Sequence, residues 1–313
     1  MKTLRQLLPL LIAIVLLVAF FAFFVPGGRF LTVSNLLDLT QQISINAILA
    51  FGMTLAILIG GIDLSVGAVV AFAGTVAVAV LPRAGWAGAA VAGMGTAAVF
   101  GLVNGTCAAK TRMPPFIITL ATMLVARGTA LRFNEGRPLP VPDSETVFLA
   151  LGNARLFGVV PVPALIMLGA FAAMELLLHR TAFGQHLYAI GGNREAARYV
   201  GIPLARREVV VYVLCSLLAG LAGLIHSSQL YSAEPASGQG FELNAIAAVV
   251  VGGTSFTGGI GTMPGTLIGA VIIGILDKGL NQAGVHFSLQ YIIKGLVILG
   301  AVWLDVRRQK QNR

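Results

Sequence analysis

Long apolar runs separated by short polar connections dominate the chain. The runs are continuous and do not alternate with a period of two, which favours helices over the strands of a barrel. Runs of about 20 residues are long enough to cross a lipid bilayer. The pattern predicts an all-α polytopic membrane protein with about ten transmembrane helices, at residues 7–25, 36–60, 64–81, 85–109, 116–132, 161–179, 208–230, 241–258, 263–281 and 289–305.

Composition supports a lipid environment. Of the 313 residues, 57% are hydrophobic and only 11% are charged, which is unusual for a soluble protein. The first apolar run follows Lys2 and Arg5 as in a signal peptide, but it is too long for one, so we expect it to remain as a helix. Cys107 and Cys215 both lie in apolar runs, which argues against a disulfide.

The net charge of +9 arises from basic clusters at the ends of the predicted helices. Positive residues near helix ends mark the cytoplasmic side, and the ten-helix count brings every cluster to that side together with both termini. Orientation therefore explains the charge without nucleic-acid binding. The clusters are Lys2 and Arg5; Lys110 and Arg112; Arg180, Arg194, Arg198, Arg206 and Arg207; and Arg307, Arg308, Lys310 and Arg313.

Two connections are long enough to carry function in what we interpret as a single transmembrane domain, residues 1–313. The segment 180–207 is basic, helix-prone and expected in the cytoplasm. The segment 133–160 is rich in proline and expected outside, where it either connects helices in solvent, folds over the outer mouth or meets a partner. A shorter external connection is expected at 231–240.

An internal repeat has an offset of 198 residues. Asn46-Ala47-Ile48 matches Asn244-Ala245-Ile246, Gly60-Gly61-Ile62 matches Gly258-Gly259-Ile260, and Gly67 matches Gly265, all without a gap. Transporters are often built from duplicated bundles whose equivalent elements frame the pathway. The ten-helix count predicts that the two copies run in the same direction.

Polar residues inside the apolar runs are the candidates for a pathway. Asp63 and Ser65 either cap the start of the next helix or act in substrate passage and gating. Asn46, Asn104 and Asn244 either form hydrogen bonds between helices or line a polar path. Asp277 could pair with Lys278 or with Lys294 near the outer surface, or the lysines could extend to the membrane surface.

Four stretches carry a resemblance to the permeases of ribose- and galactofuranose-type sugar importers of the ATP-binding-cassette class. The similarity covers about 40–300, nearly the whole chain. The stretches are Gly-Gly-Ile-Asp-Leu-Ser-Val-Gly at 60–67, Pro-Phe-Ile-Ile-Thr-Leu at 115–120, Ala-Ile-Gly-Gly-Asn at 189–193 and Ala-Ile-Ala-Ala-Val-Val-Val-Gly-Gly-Thr at 245–254.

The resemblance implies an importer with several subunits in a bacterial inner membrane. It implies a cytoplasmic ATPase, a second permease that is identical or homologous, and a periplasmic sugar-binding protein. The sequence has no Gly-x-x-x-x-Gly-Lys-Ser/Thr phosphate loop, so we expect no cofactor on this chain and ATP with magnesium on the ATPase. The chain is then a transport subunit without enzymatic activity.

A cytoplasmic Glu-Ala-Ala-x-x-x-Gly element of many such permeases forms a short helix that rests in the ATPase. Glu195, Ala196, Ala197 and Gly201 match it, although the usual Ile-x-Leu-Pro ending is absent. Alternating access would be driven through this helix. The resemblance assigns ATPase coupling to Gly191, Gly192, Asn193, Glu195, Ala196, Ala197, Arg198 and Gly201.

The remaining candidates concern the pathway and the outer face. Arg132, Arg137 and Arg155 are predicted to receive acidic patches of the binding protein. The predicted pathway and gating residues are Asn46, Gly60, Gly61, Asp63, Ser65, Asn104, Phe116 and Asn244.

Two other functions stay open at the level of the sequence. An ion-coupled secondary transporter would need ionisable residues on its pathway, and Asp63, Glu175 and Asp277 are the candidate carboxylates. A permease for branched-chain amino acids belongs to a related group of importers.

Overall fold

The computed structural model describes residues 2–111 and 113–311, so Arg112 and Arg313 of the basic clusters lie outside the described residues. The chain is helical almost throughout. The helices are α1 (Lys2–Phe24), α2 (Val33–Leu58), α3 (Val66–Lys110), α4 (Pro115–Phe133), α5 (Thr146–Asn153), α6 (Val162–Arg180), α7 (Ala182–Gly192), α8 (Arg194–Tyr199), α9 (Leu204–Gln229), α10 (Phe241–Val251), α11 (Met263–Gln282) and α12 (Phe287–Gln311).

The all-α polytopic class is confirmed. Seven of the described helices are long and apolar enough to cross a membrane, and α10 and the apolar part of α12, Phe287–Gly300, are shorter. Helix α3 contains two of the predicted segments. At 45 residues it would measure about 68 Å if straight, twice the ~30 Å hydrocarbon core. It kinks at Gly85, which has a φ of 63°, and Gly93 on the second half packs against Ala73 on the first.

Helix α2 lies at the centre of the molecule. Its residues from Ile43 to Leu58 are buried almost without interruption, and it packs against α6, α9, α10 and α11. A helix that is apolar all round and covered by other helices needs no amphipathic face. By contrast, most of α1 is exposed, and it attaches to the bundle where the Phe21 ring lies against Gly279 of α11.

Helix α10 corrects the predicted segment 241–258, because it ends at Val251. Gly253 takes a left-handed φ of 89°, and the Thr254 amide donates to the Val249 carbonyl at 3.1 Å. This is the hydrogen-bond pattern that closes a helix at a glycine. Helix α10 is thus only half as long as a full span, and the chain continues as a loop to α11.

The connections that the sequence predicts to be external contain short strands and a helix. Strand β1 (Leu139–Pro140) pairs antiparallel with β4 (Ser232–Ala233), and β2 (Arg155–Leu156) pairs with β3 (Val160–Pro161) in a tight hairpin. Helix α5 packs on the end of α9. We call the side that carries α5 the α5 face and the opposite side the α8 face.

The segment 234–240 turns back into the bundle from the α5 face. Arg127, in the middle of α4, donates hydrogen bonds to the carbonyl oxygens of Pro235, at 3.0 Å, and of Ser237. Gly238 packs against Gly67 at the start of α3. Irregular backbone at membrane depth must find its partners inside the protein, and Arg127 supplies them. The short α10 therefore begins inside the bundle.

Candidate functional site

The coupling segment predicted at 191–201 forms the corner between α7 and α8. The Asn193 side chain accepts a hydrogen bond from the Ala196 amide at 2.9 Å, so it caps the start of α8. Glu195 lies in the first turn, where a negative charge favours the helix dipole. Gly201 has a φ of 83°, and the Ile202 amide donates to the Ala197 carbonyl, which ends the helix.

The two alanines of the predicted element face opposite ways. Ala197 is buried in a small apolar cluster with Ile190 of α7 and Leu204 of α9, and partly buried Ile59 and Ile202 complete it. Ala196 is exposed with Glu195 and Arg198. Ala197 therefore fastens α8 to its own chain, and only Ala196 is free to approach another protein.

An ion pair fixes the start of α8 to α9. The Arg194 guanidinium contacts the Glu208 carboxylate, whose side chain is only 6% exposed. A carboxylate so deeply buried needs a partner to remain charged. The pair therefore links the start of α8 to the N-terminal part of α9.

The end of α7 contacts both copies of the repeat. The sequence repeat places a glycine-rich turn after α2, at 60–62, and another in the α10–α11 loop, at 258–260, and we call these the two repeat turns. The Gly259 amide donates to the Leu58 carbonyl at 2.9 Å, so the second turn is hydrogen-bonded to the end of α2 beside the first. Gly191 lies so close to this contact that a Cβ there would overlap the Leu58 oxygen and the Gly259 nitrogen. The α7–α8 corner thus contacts both the C-terminal end of α2 and the α10–α11 loop.

Tyr188 adds a second contact between α7 and the α10–α11 loop. Its hydroxyl donates to the Gly261 carbonyl at 2.8 Å. Burial, with a smaller contribution from the Glu175 carboxylate, raises the pKa of Tyr188 to about 12. The phenol therefore keeps its proton and remains a hydrogen-bond donor at neutral pH.

Asp63, Ser65 and Asn104 belong to one buried hydrogen-bond network. The Ser65 amide donates to Asp63 Oδ1 at 2.9 Å, as expected for a cap, but the Ser65 hydroxyl caps no amide. That hydroxyl donates to Asp63 and accepts from Asn104 Nδ2 at 2.9 Å, and Asn104 Oδ1 accepts from Thr122 at 2.6 Å. The network joins the α2–α3 turn to α3 and α4.

Replacing Asn104 with leucine is expected to destabilise the chain. The substitution removes the hydrogen bonds between Asn104 and the hydroxyls of Ser65 and Thr122, which keep only Asp63 and the Thr119 carbonyl as partners. A hydrogen bond contributes ~0.5–1.5 kcal/mol to stability. We expect Tm in detergent to fall by several degrees. Thr96→Val on the same helix is the matched control, because Thr96 donates only to the Ala92 carbonyl of its own helix. Equal Tm values for the two variants would contradict the role of the network.

Asn46 and Asn244, which are equivalent in the repeat, line the same cavity. It has a volume of about 360 Å³ and lies toward the α5 face, between α2, α9, α10 and α11. The Asn244 side chain also lies 3.4 Å from both Asp277 and Lys294, which form an ion pair at 2.9 Å. Asn244 thus both forms contacts between helices and lines a polar cavity, the two roles that the sequence left open.

The other predicted pathway residues lie elsewhere. Gly60, with a φ of 78°, turns the chain at the α8 face, and Gly61 lies against the Tyr212 hydroxyl. The Phe116 side chain is exposed on α4 and does not line the cavity. Asp63, Ser65 and Asn104 are buried in the network at the α2–α3 turn and do not line the cavity, so the eight predicted pathway residues do not form one site.

The three predicted docking arginines are all exposed at the α5 face. Arg155 pairs with Asp38 at the start of α2, at 2.9 Å, and so lies at the rim of the cavity. Arg137 lies 3.9 Å from Glu135, and both side chains are more than 70% exposed. Arg132 is in the last turn of α4.

The sequence did not predict several of the residues at these sites. Tyr199 and Val200 at the end of α8 are 86% and 76% exposed. Two large apolar side chains in a polar loop were a visible signal for an interface. Gln41, His226 and Gln229 line the cavity, but nothing in the sequence predicts this, because the helices that carry them are far apart in sequence.

Comparisons with known proteins agree on a transport family. Residues 35–302 match the family described as "Branched-chain amino acid transport system / permease component". The chain is 45% identical to ribose import permease protein RbsC of Bacillus subtilis, over 89% of this chain and 87% of that protein. Identity to RbsC of Escherichia coli K12 is also 45%, over 96% and 93%. Xylose transport system permease protein XylH of Haemophilus influenzae is 32% identical, over 98% and 97%.

Proposed function

The chain belongs to the family of branched-chain amino acid transport system permease components, and from that premise we propose that it is the transmembrane subunit of an ATP-driven monosaccharide importer. The whole chain would act as one permease domain in a bacterial inner membrane. The family description names amino acids, but relatives at 45% identity are named as ribose import permeases. Ribose or a sugar of similar size and chemistry is therefore the cargo we propose.

One observation carries the mechanism, namely the contact of Gly191 with Leu58 and Gly259. A push on α8 reaches both repeat turns at once, because Leu58 and Gly259 are hydrogen-bonded to each other. Asn46 lies 12 residues along α2 from Leu58, about 18 Å at 1.5 Å per residue. Helices transmit such a displacement as rigid bodies, so movement at the α8 face changes the shape of the cavity.

The exposed side of α8 is the surface that we propose for the ATPase. Tyr199 and Val200 provide apolar contact area, and tyrosine is frequent among the residues that dominate binding energy. Glu195 and Arg198 flank them and add charge complementarity. ATP and magnesium would be bound by that partner, which closes and pulls α8 during each cycle.

The α5 face would receive the sugar-binding protein. Arg132, Arg137 and Arg155 are exposed there and remain our candidates for its acidic patches. A second permease, identical or homologous, would complete the membrane unit. Together these subunits would move sugar by alternating access, opening first to the α5 face and then to the cytoplasm.

The ion-coupled alternative has less support from the geometry. The Asp63 carboxylate accepts hydrogen bonds from Ser65, the Glu175 carboxylate lies 3.1 Å from His179 Nδ1, and Asp277 forms an ion pair with Lys294. Each of the three candidate carboxylates thus already has a partner within the chain.

Glu195→Arg and Gly201→Leu are expected to lower ATP-driven uptake strongly while the chain still inserts. The first reverses the charge on the exposed side of α8, and the second forces a left-handed φ on a side chain that resists it. The assay is uptake of labelled D-ribose into proteoliposomes with the ATPase and the binding protein. Glu135→Arg at the α5 face is the control for Glu195→Arg, because the two side chains are similarly exposed, at 75% and 67%.

The same assay tests the proposed function itself. Uptake should require ATP and should be reduced by unlabelled ribose but not by leucine. Uptake that proceeds with a proton gradient alone would reject the importer mechanism. Competition by leucine and not by sugars would reject the proposed cargo. Wild-type uptake in both α8 variants would reject the coupling assignment.

A further inference from the structure

Two residues that line the cavity near the α5 face have side-chain polar atoms without partners in the protein. Asn46 Oδ1, an acceptor, and Gln229 Nε2, a donor, are both buried and have no hydrogen-bond partner among the described residues. Buried polar atoms are normally satisfied, so two unmet side chains in the wall of one cavity point to a ligand that rotation of these amides can reach. A hydroxyl group both donates and accepts, so a ligand with several hydroxyls satisfies both atoms.

The same cavity has an apolar wall. Phe241 at the start of α10 and His226 on α9 both line it, and their rings meet edge to face with centroids 5.4 Å apart. Aromatic rings provide a large apolar surface for the C–H groups of a bound molecule. Apolar walls with a few directed polar groups are typical of small-molecule sites, and such sites measure about 300–1,000 Å³. The volume of about 360 Å³ fits one small solute.

The carboxylates around the cavity are neutralised within the protein. Asp38 is paired with Arg155 at the rim, and Asp277 is paired with Lys294. Neither carboxylate is therefore available to bind a cation. Lys278 also lines the cavity, and its ammonium can donate to hydroxyl oxygens as well as to an anion. Neutral and anionic solutes must therefore be compared directly.

We propose that this cavity is a solute-binding site inside the permease chain and that it takes a neutral polyhydroxylated solute of monosaccharide size. Asn46 and Gln229 bind hydroxyl groups, and Phe241 packs against the carbon skeleton. The inference rests on the proposed function, because it assigns the sugar a position on its way through this chain. Weak binding suits this position, since a tight site would slow release.

The test is protection of an introduced thiol by D-ribose in the full chain reconstituted in nanodiscs. Gln42→Cys places the thiol in the cavity wall, and a charged methanethiosulfonate reagent labels it. We expect D-ribose to slow labelling several-fold. Val159→Cys on the exposed β2–β3 hairpin is the control and should be labelled at the same rate with and without sugar. The unmodified chain gives the background from Cys107 and Cys215.

Two substitutions then test the recognition. Asn46→Leu and Gln229→Leu, each combined with Gln42→Cys, remove one hydrogen bond with little change in volume. A neutral hydrogen bond contributes ~0.5–1.5 kcal/mol, so the D-ribose concentration needed for protection should rise about twofold to twelvefold in each. Unchanged protection in both variants would overturn the assignment of these residues. Equal or better protection by D-ribonate would overturn the preference for a neutral solute.

Uptake measured with the same Gln42→Cys protein separates this inference from the proposed function. ATP-driven ribose uptake without any protection would overturn the cavity site and leave the importer intact. Uptake driven by a proton gradient alone would overturn the importer, whatever the labelling shows. Protection together with ATP-driven uptake supports both.

Discussion

Gly191→Ala is expected to abolish most ATP-driven sugar uptake. The new Cβ overlaps the Leu58 carbonyl oxygen and the Gly259 amide nitrogen, so the hydrogen bond between the two repeat turns must break or α7 must move away. Inserting a methyl group into a well-packed contact typically costs ~1–3 kcal/mol. The loss would occur at a point where α7 lies against both the end of α2 and the α10–α11 loop. Uptake of labelled D-ribose into proteoliposomes, with ATPase activity measured in parallel, checks it.

Gly169→Ala on α6 is the matched control, because a Cβ there meets no described atom within 4 Å and Gly169 is not one of the predicted coupling residues. Both substitutions replace glycine by alanine within a helix, so both bring a similar change in helix propensity. Only the steric contact differs. Wild-type uptake by Gly191→Ala, or an equal loss in both variants, would contradict the role of this contact.

Arg194→Ala is expected to lower both stability and uptake. It leaves the buried Glu208 carboxylate without its cation, and breaking a buried pair on one side costs up to ~3–5 kcal/mol. Arg194 is 48% exposed, so water supplies part of the compensation and the loss should fall at or below the lower end. The free energy of unfolding in detergent and uptake in proteoliposomes measure the two effects.

The double variant Arg194→Leu with Glu208→Leu separates stability from transmission. Replacing both partners by apolar side chains is often neutral, so Tm should recover toward the wild-type value. Arg198→Ala is the control for stability, since its pairing with Glu195 at 3.9 Å is exposed and such pairs contribute ~0–1 kcal/mol. A Tm loss as large in Arg198→Ala as in Arg194→Ala would refute the buried pair as an anchor.

The predictions for Gly191 and Arg194 concern the two sides of the corner between α7 and α8. Gly191 holds the end of α7 against α2 and the α10–α11 loop, whereas Arg194 holds the start of α8 against α9. Between them, Asn193 caps α8 and gives the corner a defined shape. A displacement imposed on the exposed side of α8 therefore acts on three elements that reach the cavity, because α2, α9 and α10 all line it.

The local features of the coupling segment were predictable because their signals are contiguous. Asn193, Glu195 and Gly201 act within one short helix, where the cap, the dipole and the left-handed turn depend on adjacent residues. The opposite orientations of Ala196 and Ala197 were not predictable. They depend on the apolar cluster around Ile190 and Leu204, which only the folded chain assembles.

The predicted pathway residues were also only partly placed by the sequence. Asn46 and Asn244 were found through the repeat, and they line one cavity. Phe116 came from a family motif, and its side chain lies outside the cavity on the exposed side of α4. Polarity, motif and spacing identify unusual residues in a membrane helix, but they do not state which neighbour each residue faces.

The sequence by itself determined that the chain crosses a membrane as helices and where most of those helices lie. Lipid offers the backbone no hydrogen-bond partners, so every long apolar run must satisfy its own amides and carbonyls, and this constraint is local. Tertiary structure alone decided that α10 stops at Val251, that segment 234–240 turns back to meet Arg127, and that Gly191 lies between Leu58 and Gly259. These features rest on contacts between residues far apart in the chain, whose energies depend on packing that no local pattern specifies.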